Sequence, residues 1–368
     1  MVKYSMLMLN RERKWMKKLE RIRNEFGQLG IQALLITSPY NRRYIANFTG
    51  TTGVVLITEE DAYFITDFRY IEQAKRQAVG YDIIQHSGSI PKEVVRICNE
   101  KGINKLGFEE DDVTYALYQA YVSEFKGTLV PVSGVIEKLR LIKTEEEIKI
   151  IKVACDIADA AFKHILEFIR PGITELDVSN ELEFFMRKCG ATSSSFDTIV
   201  ASGLNSALPH GVASNKVIEK GDMVTLDYGA YYDGYVSDIT RTVAVGDPGE
   251  QLKKIYDIVL QAQLKGMEEI RPGMTGKEAD AITRDYITEH GHGDDFGHST
   301  GHGIGLEIHE GPTLSKNSEV LLKSGMVVTC EPGIYVPGLG GVRIEDDLVI
   351  TEHGNEALTH STKELIIL

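Results

Sequence analysis

Hydrophobic and polar positions follow two alternating periods over the first 140 residues, which predicts an α/β domain. A charged amphipathic segment from Arg11 to Leu29, stopped by Gly30, predicts a helix. Short apolar runs bounded by turn residues predict strands, and two of them flank the acidic turn 59–61 as a hairpin. Together these segments indicate a mixed sheet covered by helices. The other predicted elements are strands at 33–37, 54–57, 63–65 and 105–109 and a helix at 71–79.

A second domain is predicted to begin at a helix start signal. The chain of 368 residues is too long for one ordinary hydrophobic core. Thr144 followed by Glu147 forms a capping-box pattern, and the helix that it begins should continue to Phe168. We therefore predict an N-terminal domain at 1–143 and a second domain at 144–368.

The second domain contains an internal repeat. The segment from Ile169 to Thr174 recurs as Ile270 to Thr275, and each copy separates two predicted helices. Thr174 caps the second helix of its pair, which should stop near Gly190. An R-P-G turn is also a common way to end a helix, but the matching helical context favours duplication. Two related halves that face each other would leave a cleft between them.

Composition and charge exclude several classes of protein. Lys and Arg number 40 against 54 Asp and Glu, and the net charge of −14 argues against nucleic-acid binding and against anionic membranes. The chain has no apolar run near the ~18 residues that a transmembrane helix requires. It also lacks a signal-peptide pattern, so we expect a cytoplasmic protein. No two of the four cysteines have the spacing of a metal knuckle or a redox motif.

The segment 223–241 predicts a hairpin that carries two carboxylates. Asp233-Gly234 is a strong two-residue turn signal, and this turn would place Asp227 opposite Thr240. Asp227 and Asp238 would then project from the same face as a diagonal pair. A solvent-facing acidic strand is the alternative, but the apolar surroundings favour a cation between the two carboxylates.

A second acidic hairpin is predicted at 327–347. Glu331 and Glu345 are equidistant from Gly338 in the connecting loop, so a symmetric hairpin places them opposite each other. Arg343 shares their face and could orient a carboxylate that binds metal.

A glycine-rich segment at 297–310 contributes three histidines. His298 and His302 have the i, i+4 spacing of a helical zinc pair, but the glycines between and after them argue against a helix. The segment predicts a loop that enters a strand and allows close approach of a ligand. A lone histidine is more often structural, yet His302 lies between two acidic hairpins in the sequence. One histidine and four carboxylates would hold two divalent cations, with Mn²⁺ or Co²⁺ favoured over a thiolate type of zinc site. Paired cations activate a bridging water for attack on a carbonyl.

Five sequence motifs, in order, resemble those of the pita-bread metallopeptidases, which include methionine aminopeptidase, aminopeptidase P and prolidase. The resemblance covers 145–368 densely, and the first 140 residues resemble the N-terminal domain of prolidase and aminopeptidase P. It implies an α/β N-terminal domain of the creatinase/prolidase type and an α+β pita-bread domain with an internal pseudo-two-fold repeat. The motifs are L-D-Y-G, S-D-I-T-R-T, G-H-G-I-G-L-E-I-H-E, E-P-G-I-Y and R-I-E-D-D.

The resemblance also implies roles for individual residues. Asp227 would chelate one metal, and Asp238 and Glu345 would bridge both. His302 and Glu331 would bind the second metal, and Glu331 would also carry protons. The resemblance also implies that His210 holds the substrate and that His309 contacts the scissile carbonyl. Further side chains would line or support the site, namely His298, Tyr335, Arg343 and Thr240.

The implied function is that of a dinuclear Xaa-Pro dipeptidase, which hydrolyses the bond before proline through a metal-bridging hydroxide. Aminopeptidase P, acting on longer peptides, is the alternative, because many prolidases carry an arginine where this chain has Thr313. Creatinase-like hydrolases and non-catalytic binding proteins share the fold, but they usually lose the ligands that are intact here. The implied cofactor is a pair of divalent ions, Mn²⁺ first and Co²⁺ or Zn²⁺ as alternatives. The implied partners are Xaa-Pro di- or oligopeptides and a second copy of the chain as a homodimer.

Overall fold

The computed structural model describes the backbone of residues 2–368 and the side chains from residue 16 onward. The chain divides into two compact units, Met1–Leu139 and Arg140–Leu368. Among the described residues, no helix combines the length and the apolar character needed to cross a membrane.

The first unit is built on a six-stranded mixed sheet with the strand order β4-β3-β2-β1-β5-β6. Strand β1 pairs antiparallel with β2 and parallel with β5, as expected for a mixed sheet. The strands are β1 (Ala33–Ile36), β2 (Val54–Thr58), β3 (Ala62–Thr66), β4 (Asp82–Gln85), β5 (Lys105–Glu109) and β6 (Thr128–Val132). The helices are α1 (Val2–Leu29), α2 (Pro39–Ala46), α3 (Ile71–Gln77), α4 (Ile90–Glu100), α5 (Tyr115–Glu124) and α6 (Val135–Arg140).

The elements predicted for this unit are confirmed, but several boundaries were wrong, and the helix predicted at 71–79 ends at Gln77. Strands β2 and β3 form the predicted hairpin, and Val55 pairs with Phe64. Helix α1 begins at Val2 rather than at Arg11, because the intervening residues include neither proline nor glycine to break it.

The second unit begins with two helix pairs that confirm the predicted repeat. Helices α7 (Glu145–Phe168) and α8 (Glu175–Lys188) form the first pair, and α9 (Glu250–Glu269) and α10 (Gly276–Glu289) form the second. Three of these helices begin with a capping box, in which a threonine accepts from the third backbone N–H and an acidic side chain returns to the cap. The capping threonines are Thr144, Thr174 and Thr275.

The two repeats also make the same backbone contacts. In the first, the Gly172 N–H donates to the Ile218 carbonyl at 2.9 Å, and in the second the Gly273 N–H donates to the Leu322 carbonyl at the same distance. Antiparallel bridges join Thr174 to Val217 and Thr275 to Leu321. The internal pseudo-two-fold repeat therefore extends beyond the helices to the segments that cross their N-termini.

Short antiparallel sheets pack against these helices. Their strand orders are β11-β10-β7, β12-β9-β8, β14-β13-β15-β18-β19 and β16-β17. The first-repeat strands are β7 (Ser193–Ser194), β8 (Ile199–Ser202), β9 (Met223–Tyr228), β10 (Ala230–Tyr232), β11 (Tyr235–Val236) and β12 (Ile239–Ala244). The later strands are β13 (Gly301–Gly303), β14 (Glu310–Leu314), β15 (Val327–Cys330), β16 (Gly333–Val336), β17 (Gly340–Arg343), β18 (Asp346–Ile350) and β19 (Asn355–Ala357).

Both predicted hairpins form in the predicted register. Asp233 and Gly234 have φ values of 44° and 88°, as a tight turn of the primed type requires, and Asp227 pairs with Thr240. In the second hairpin, Tyr335 pairs with Gly341 and Cys330 pairs with Asp346. The register is therefore the same on both sides of the break between β15 and β16.

Candidate metal centre

The predicted metal ligands stand at the ends of strands from both repeats. Asp227 lies in β9 and Asp238 directly precedes β12, whereas His302 lies in the middle of β13. Glu331 directly follows β15, and Glu345 directly precedes β18. Strand ends place short carboxylate side chains where regular pairing stops, so their oxygens can turn towards one another.

Three of the five side chains come close enough together to share one ion, and the other two lie near them. Asp238, His302 and Glu345 offer ligand atoms that all lie within 4.8 Å of one another. The Nε2 atom of His302 is 3.6 Å from the Asp238 carboxylate and 3.4 Å from the Glu331 carboxylate. Asp227 joins the cluster through Arg343, whose Nη2 donates to Asp227 Oδ2 at 2.5 Å.

Burial and mutual repulsion act on these carboxyl groups together. Loss of solvent raises the pKa of Asp238, and the nearby charges of Glu345 and Asp227 raise it further. Loss of solvent likewise raises the pKa of Glu345, with Glu331 and Asp227 adding to the effect. For Glu331, loss of solvent raises the pKa to about 8, although the positive charge of Arg343 opposes this. Such a cluster must be neutralised either by protons or by cations.

Two orphaned oxygen atoms show that the donor set fits divalent cations. Asp227 Oδ1 and Asp238 Oδ1 are buried and lack a hydrogen-bond partner among the described residues. A buried carboxylate oxygen without a partner is costly, whereas carboxylates are preferred ligands of Mn²⁺ and similar ions. Because His302 Nδ1 lies 3.1 Å from the Gly303 carbonyl, it carries the proton, and Nε2 keeps the lone pair that a metal needs.

Neighbouring threonines fix the orientation of two of the carboxylates. Thr240 Oγ1 donates to Glu345 at 2.5 Å, and Thr329 Oγ1 donates to Glu331 at 3.1 Å. The backbone N–H of Asp238 donates to Asp347 at 2.9 Å. These contacts hold the oxygens close together, as a preorganised metal centre requires.

A hydrogen-bonded chain links Arg343 to His298. Arg343 Nη1 donates to the Tyr335 hydroxyl at 2.6 Å, and this hydroxyl donates to His298 Nε2 at 2.9 Å. The Nδ1 atom of His298 lies 2.8 Å from the Ser299 carbonyl and therefore carries the proton. Loss of solvent and the charge of Arg343 lower the pKa of His298 to about 4, so the ring is neutral.

The two remaining predicted histidines flank the cluster. The His309 ring centre is 4.4 Å from that of His302, and His309 itself is exposed. His210 is also exposed, and its charge is near enough to His298 to contribute to the lowered pKa of that residue. Arg343 Nη1 also donates to the Pro209 carbonyl at 3.2 Å, so the segment that carries His210 is joined to the metal centre.

Several buried residues that support the cluster were not predicted from the sequence. Arg241 pairs with Asp346 at 2.7 Å, and both side chains are buried. Asp347 accepts both the Asp238 N–H and the Cys155 thiol, the latter at 3.3 Å. Acidic residues within an otherwise apolar strand, here the second and third acids of R-I-E-D-D, were the available signal.

Comparison with known proteins assigns families to both parts of the chain. Residues 149–352 match the model of metallopeptidase family M24. Residues 18–142 match the model of the creatinase/prolidase N-terminal domain. The catalytic family and the N-terminal domain expected from the sequence motifs are thus confirmed.

Relatives match the chain along its whole length. The solved Xaa-Pro dipeptidase from Bacillus anthracis is 65% identical with a TM-score of 0.95, covering 96% of this chain and 100% of that one. A Xaa-Pro dipeptidase of Pyrococcus horikoshii is 44% identical over 95% of this chain and 99% of its own. An X-Pro aminopeptidase from Thermotoga maritima is 40% identical with a TM-score of 0.87, covering 92% of this chain and 98% of that one. The chain belongs to metallopeptidase family M24.

Proposed function

We propose that the protein is an Xaa-Pro dipeptidase that uses two divalent cations. Mn²⁺ is the favoured ion. One observation carries this proposal: Asp238, His302 and Glu345 place their ligand atoms within 4.8 Å of one another. The relatives described as Xaa-Pro dipeptidases support the choice of substrate. The oxygen-rich donor set with a single imidazole supports Mn²⁺ over a thiolate type of zinc site.

The five predicted ligands, Asp227, Asp238, His302, Glu331 and Glu345, would hold the two cations. When bound, the cations polarise a peptide carbonyl and make an adjacent water more acidic. The network around Arg343 holds Asp227, while Thr240 and Thr329 hold Glu345 and Glu331 in place.

Proton transfer falls to Glu331 in this proposal. Its Oε1 atom already accepts from Thr329, which leaves Oε2 to take a proton from the attacking water. The same oxygen then gives the proton to the proline nitrogen as the peptide bond breaks. A group that must both accept and release a proton works best with a pKa near the working pH.

The exposed histidines would act on the substrate rather than on the cations. His309 packs against His302 and can donate to the scissile carbonyl oxygen as negative charge develops there. His210 is near enough to His298 for its charge to act on that ring, and it would contact the peptide as well. Proline lacks the amide N–H that most peptidases bind, so the site must recognise the ring by shape.

The decisive experiment compares rates on Ala-Pro, Ala-Pro-Ala and Ala-Ala-Ala with Mn²⁺ present. We expect fastest hydrolysis of Ala-Pro, weaker cleavage of Ala-Pro-Ala and none of Ala-Ala-Ala. If the tripeptide Ala-Pro-Ala is cleaved faster than Ala-Pro, the protein is an aminopeptidase P and not a dipeptidase. Absence of hydrolysis of all three peptides in a protein that binds Mn²⁺ would exclude both.

A specific observation keeps aminopeptidase P as the second candidate. Thr313 pairs directly with His302 across β13 and β14, and its side chain is exposed. A dipeptidase must neutralise the carboxylate of proline there, and threonine supplies no charge. We expect Thr313→Arg to lower KM for Ala-Pro and to leave KM for its uncharged amide unchanged. An equal change for both substrates would show that residue 313 does not face the carboxylate.

The oligomeric state and the native metal belong to the same proposal. The homodimer stays a prediction, which light scattering of the purified protein tests. Elemental analysis of protein purified without added metal identifies the ion that the site selects.

A further inference from the structure

Outside the metal centre, a buried carboxylate lies at the start of α8. Glu175 is the first residue of that helix, and its side chain is completely buried. Its Oε1 atom accepts from the Ser202 N–H at 2.7 Å and from the Ser202 hydroxyl at 2.9 Å. Its Oε2 atom accepts from the Ser214 N–H at 3.1 Å and from the Ser214 hydroxyl at 2.6 Å. The amide of Asn205 donates to both oxygens at 3.2 and 3.3 Å.

The two oxygens therefore hold the two ends of one segment, 202–214, and this segment carries His210. Between the ends, the chain turns tightly, with the Gly211 N–H donating to the Leu208 carbonyl at 3.0 Å. His210 is exposed at this turn, so its own side chain does little to hold it in place. Its position depends on the anchors of the segment. These include Glu175, the contact of Arg343 with the Pro209 carbonyl, and the Ser206 hydroxyl, which accepts from the Gly341 N–H at 2.9 Å.

The other repeat shows that the fold does not need this carboxylate. At the matching position α10 begins with Gly276, whose N–H donates to the Val320 carbonyl as the Glu175 N–H donates to Lys216. A Cβ on Gly276 would lie 2.1 Å from the Thr313 carbonyl oxygen, so no side chain fits there. The backbone contacts are thus common to both repeats. The buried carboxylate is therefore present in one repeat only.

We infer that Glu175 is a positioning residue that fixes the segment 202–214 and thereby holds His210 against the substrate. This inference rests on the proposed function, since that function gives His210 its role. Gln at position 175 would keep the size of the side chain but would turn an amide N–H₂ towards a donor. Either Ser202 or Ser214 would then lose the carboxylate oxygen that accepts its hydrogen bonds, and residue 175 would hold the segment at one end only.

The test is a double-mutant cycle of Glu175→Gln and His210→Ala, with Ala-Pro as substrate and Mn²⁺ content measured for each protein. We expect Glu175→Gln to lower kcat by ~10-fold or more, because small misplacements of a catalytic group are costly, and to leave the Mn²⁺ content unchanged. In the His210→Ala background, Glu175→Gln should cause no further loss. Independent losses that multiply would overturn the inference, because Glu175 would then act without His210. Glu181→Gln, on the same helix but bonded to His164, is the matched control and should leave kcat unchanged.

Hydrogen exchange read by mass spectrometry gives a result that does not depend on peptidase activity. We expect faster exchange in 203–214 of Glu175→Gln and no change in 298–303. Ser214→Ala, which removes one hydroxyl donor, should give a smaller change of the same kind if Glu175→Gln does not fold. Unchanged exchange in 203–214 overturns the inference. If Glu175→Gln shows this exchange pattern but the wild-type protein cleaves no Xaa-Pro peptide, the proposed function alone is rejected.

Discussion

At the scale of single residues, the metal centre buries acidic side chains together, which makes their ionised forms costly. Asp238 and Glu345 are buried together, and each raises the cost of ionising the other members of the cluster. An oxygen of Asp238 has no partner among the described residues, although the side chain is almost entirely removed from water. Stability alone would favour apolar residues here, so the cluster is retained for chemistry.

Asp238→Asn should remove most peptidase activity, because an amide cannot supply the charge that two shared cations require. We expect a loss larger than the ~10- to 100-fold that changes around the ligands typically cause. Activity at saturating Mn²⁺ and bound metal per chain are the measurements. Asp285→Asn, on the exposed side of α10, is the control and should match the wild type. Wild-type turnover in Asp238→Asn would show that Asp238 is not a ligand.

His309→Ala should act on the reaction and leave the metals in place. The ring of His309 contacts that of His302, and His309 is exposed. We expect kcat to fall by ~10²-fold or more, a typical cost of removing an acid–base or electrostatic group. Metal content, measured in parallel, should stay unchanged. Loss of metal from this variant would make His309 a ligand instead.

At the scale of secondary-structure elements, glycines allow the strands beside the centre to approach closely. A Cβ on Gly303 would lie 2.0 Å from the Gly311 carbonyl oxygen in the segment that pairs with it. Backbone atoms at that distance cannot give way as a flexible side chain can. The glycine-rich pattern that argued against a helix therefore serves to bring β14 against the strand of His302.

Gly303→Ala should displace β14 from β13, move His302, and lower both metal affinity and kcat. Overpacking of this kind typically costs about 1–3 kcal/mol, so the free energy of unfolding should fall as well. Urea unfolding and Mn²⁺ titration measure the two effects. Gly297→Ala is the matched control in the same segment, since no atom lies within 4 Å of its added Cβ. Equal effects from both substitutions would contradict the proposed role of close strand packing.

At the scale of the whole second unit, the metal centre joins the two repeats. Asp227 and Asp238 come from the first repeat, and His302, Glu331 and Glu345 come from the second. Bound cations would therefore cross-link the halves of the fold while they neutralise its buried acidic cluster. Binding to the native state alone stabilises that state by mass action.

Removal of metal by a chelator should lower the thermal midpoint, and Mn²⁺ should restore it. At a free concentration about 100 times the Kd, binding adds about 2.7 kcal/mol to the free energy of unfolding. Differential scanning calorimetry with and without Mn²⁺ measures this change. Asp238→Asn should show a much smaller response than the wild type. A midpoint that is unaffected by both chelator and Mn²⁺ would argue against a metal that links the repeats.

Local chemistry in the sequence was enough to predict the repeat, the identity of the candidate ligands and many of the elements, but not α2, α4, α5, α6, β4 and β6. Capping boxes, a two-residue turn and strand alternation act over a few residues, so Thr144, the Asp233-Gly234 turn and the pairing of Asp227 with Thr240 could be derived without tertiary contacts. The resemblance of the motifs then pointed to the family that the comparisons confirmed. The roles of individual site residues stay predictions that the experiments above address.

Only the tertiary structure decided which of these groups meet and what holds them. Thr240 bonds Glu345 across 105 residues, Asp238 bonds Asp347 across 109, and Arg343 bonds Asp227 across 116. The face of a strand can be derived from alternation, but the neighbour of that face depends on how separate hairpins pack. For the same reason Glu175 was indistinguishable in the sequence from an ordinary acidic residue in the first turn of a helix. Its function follows from the burial and the distant donors that folding supplies.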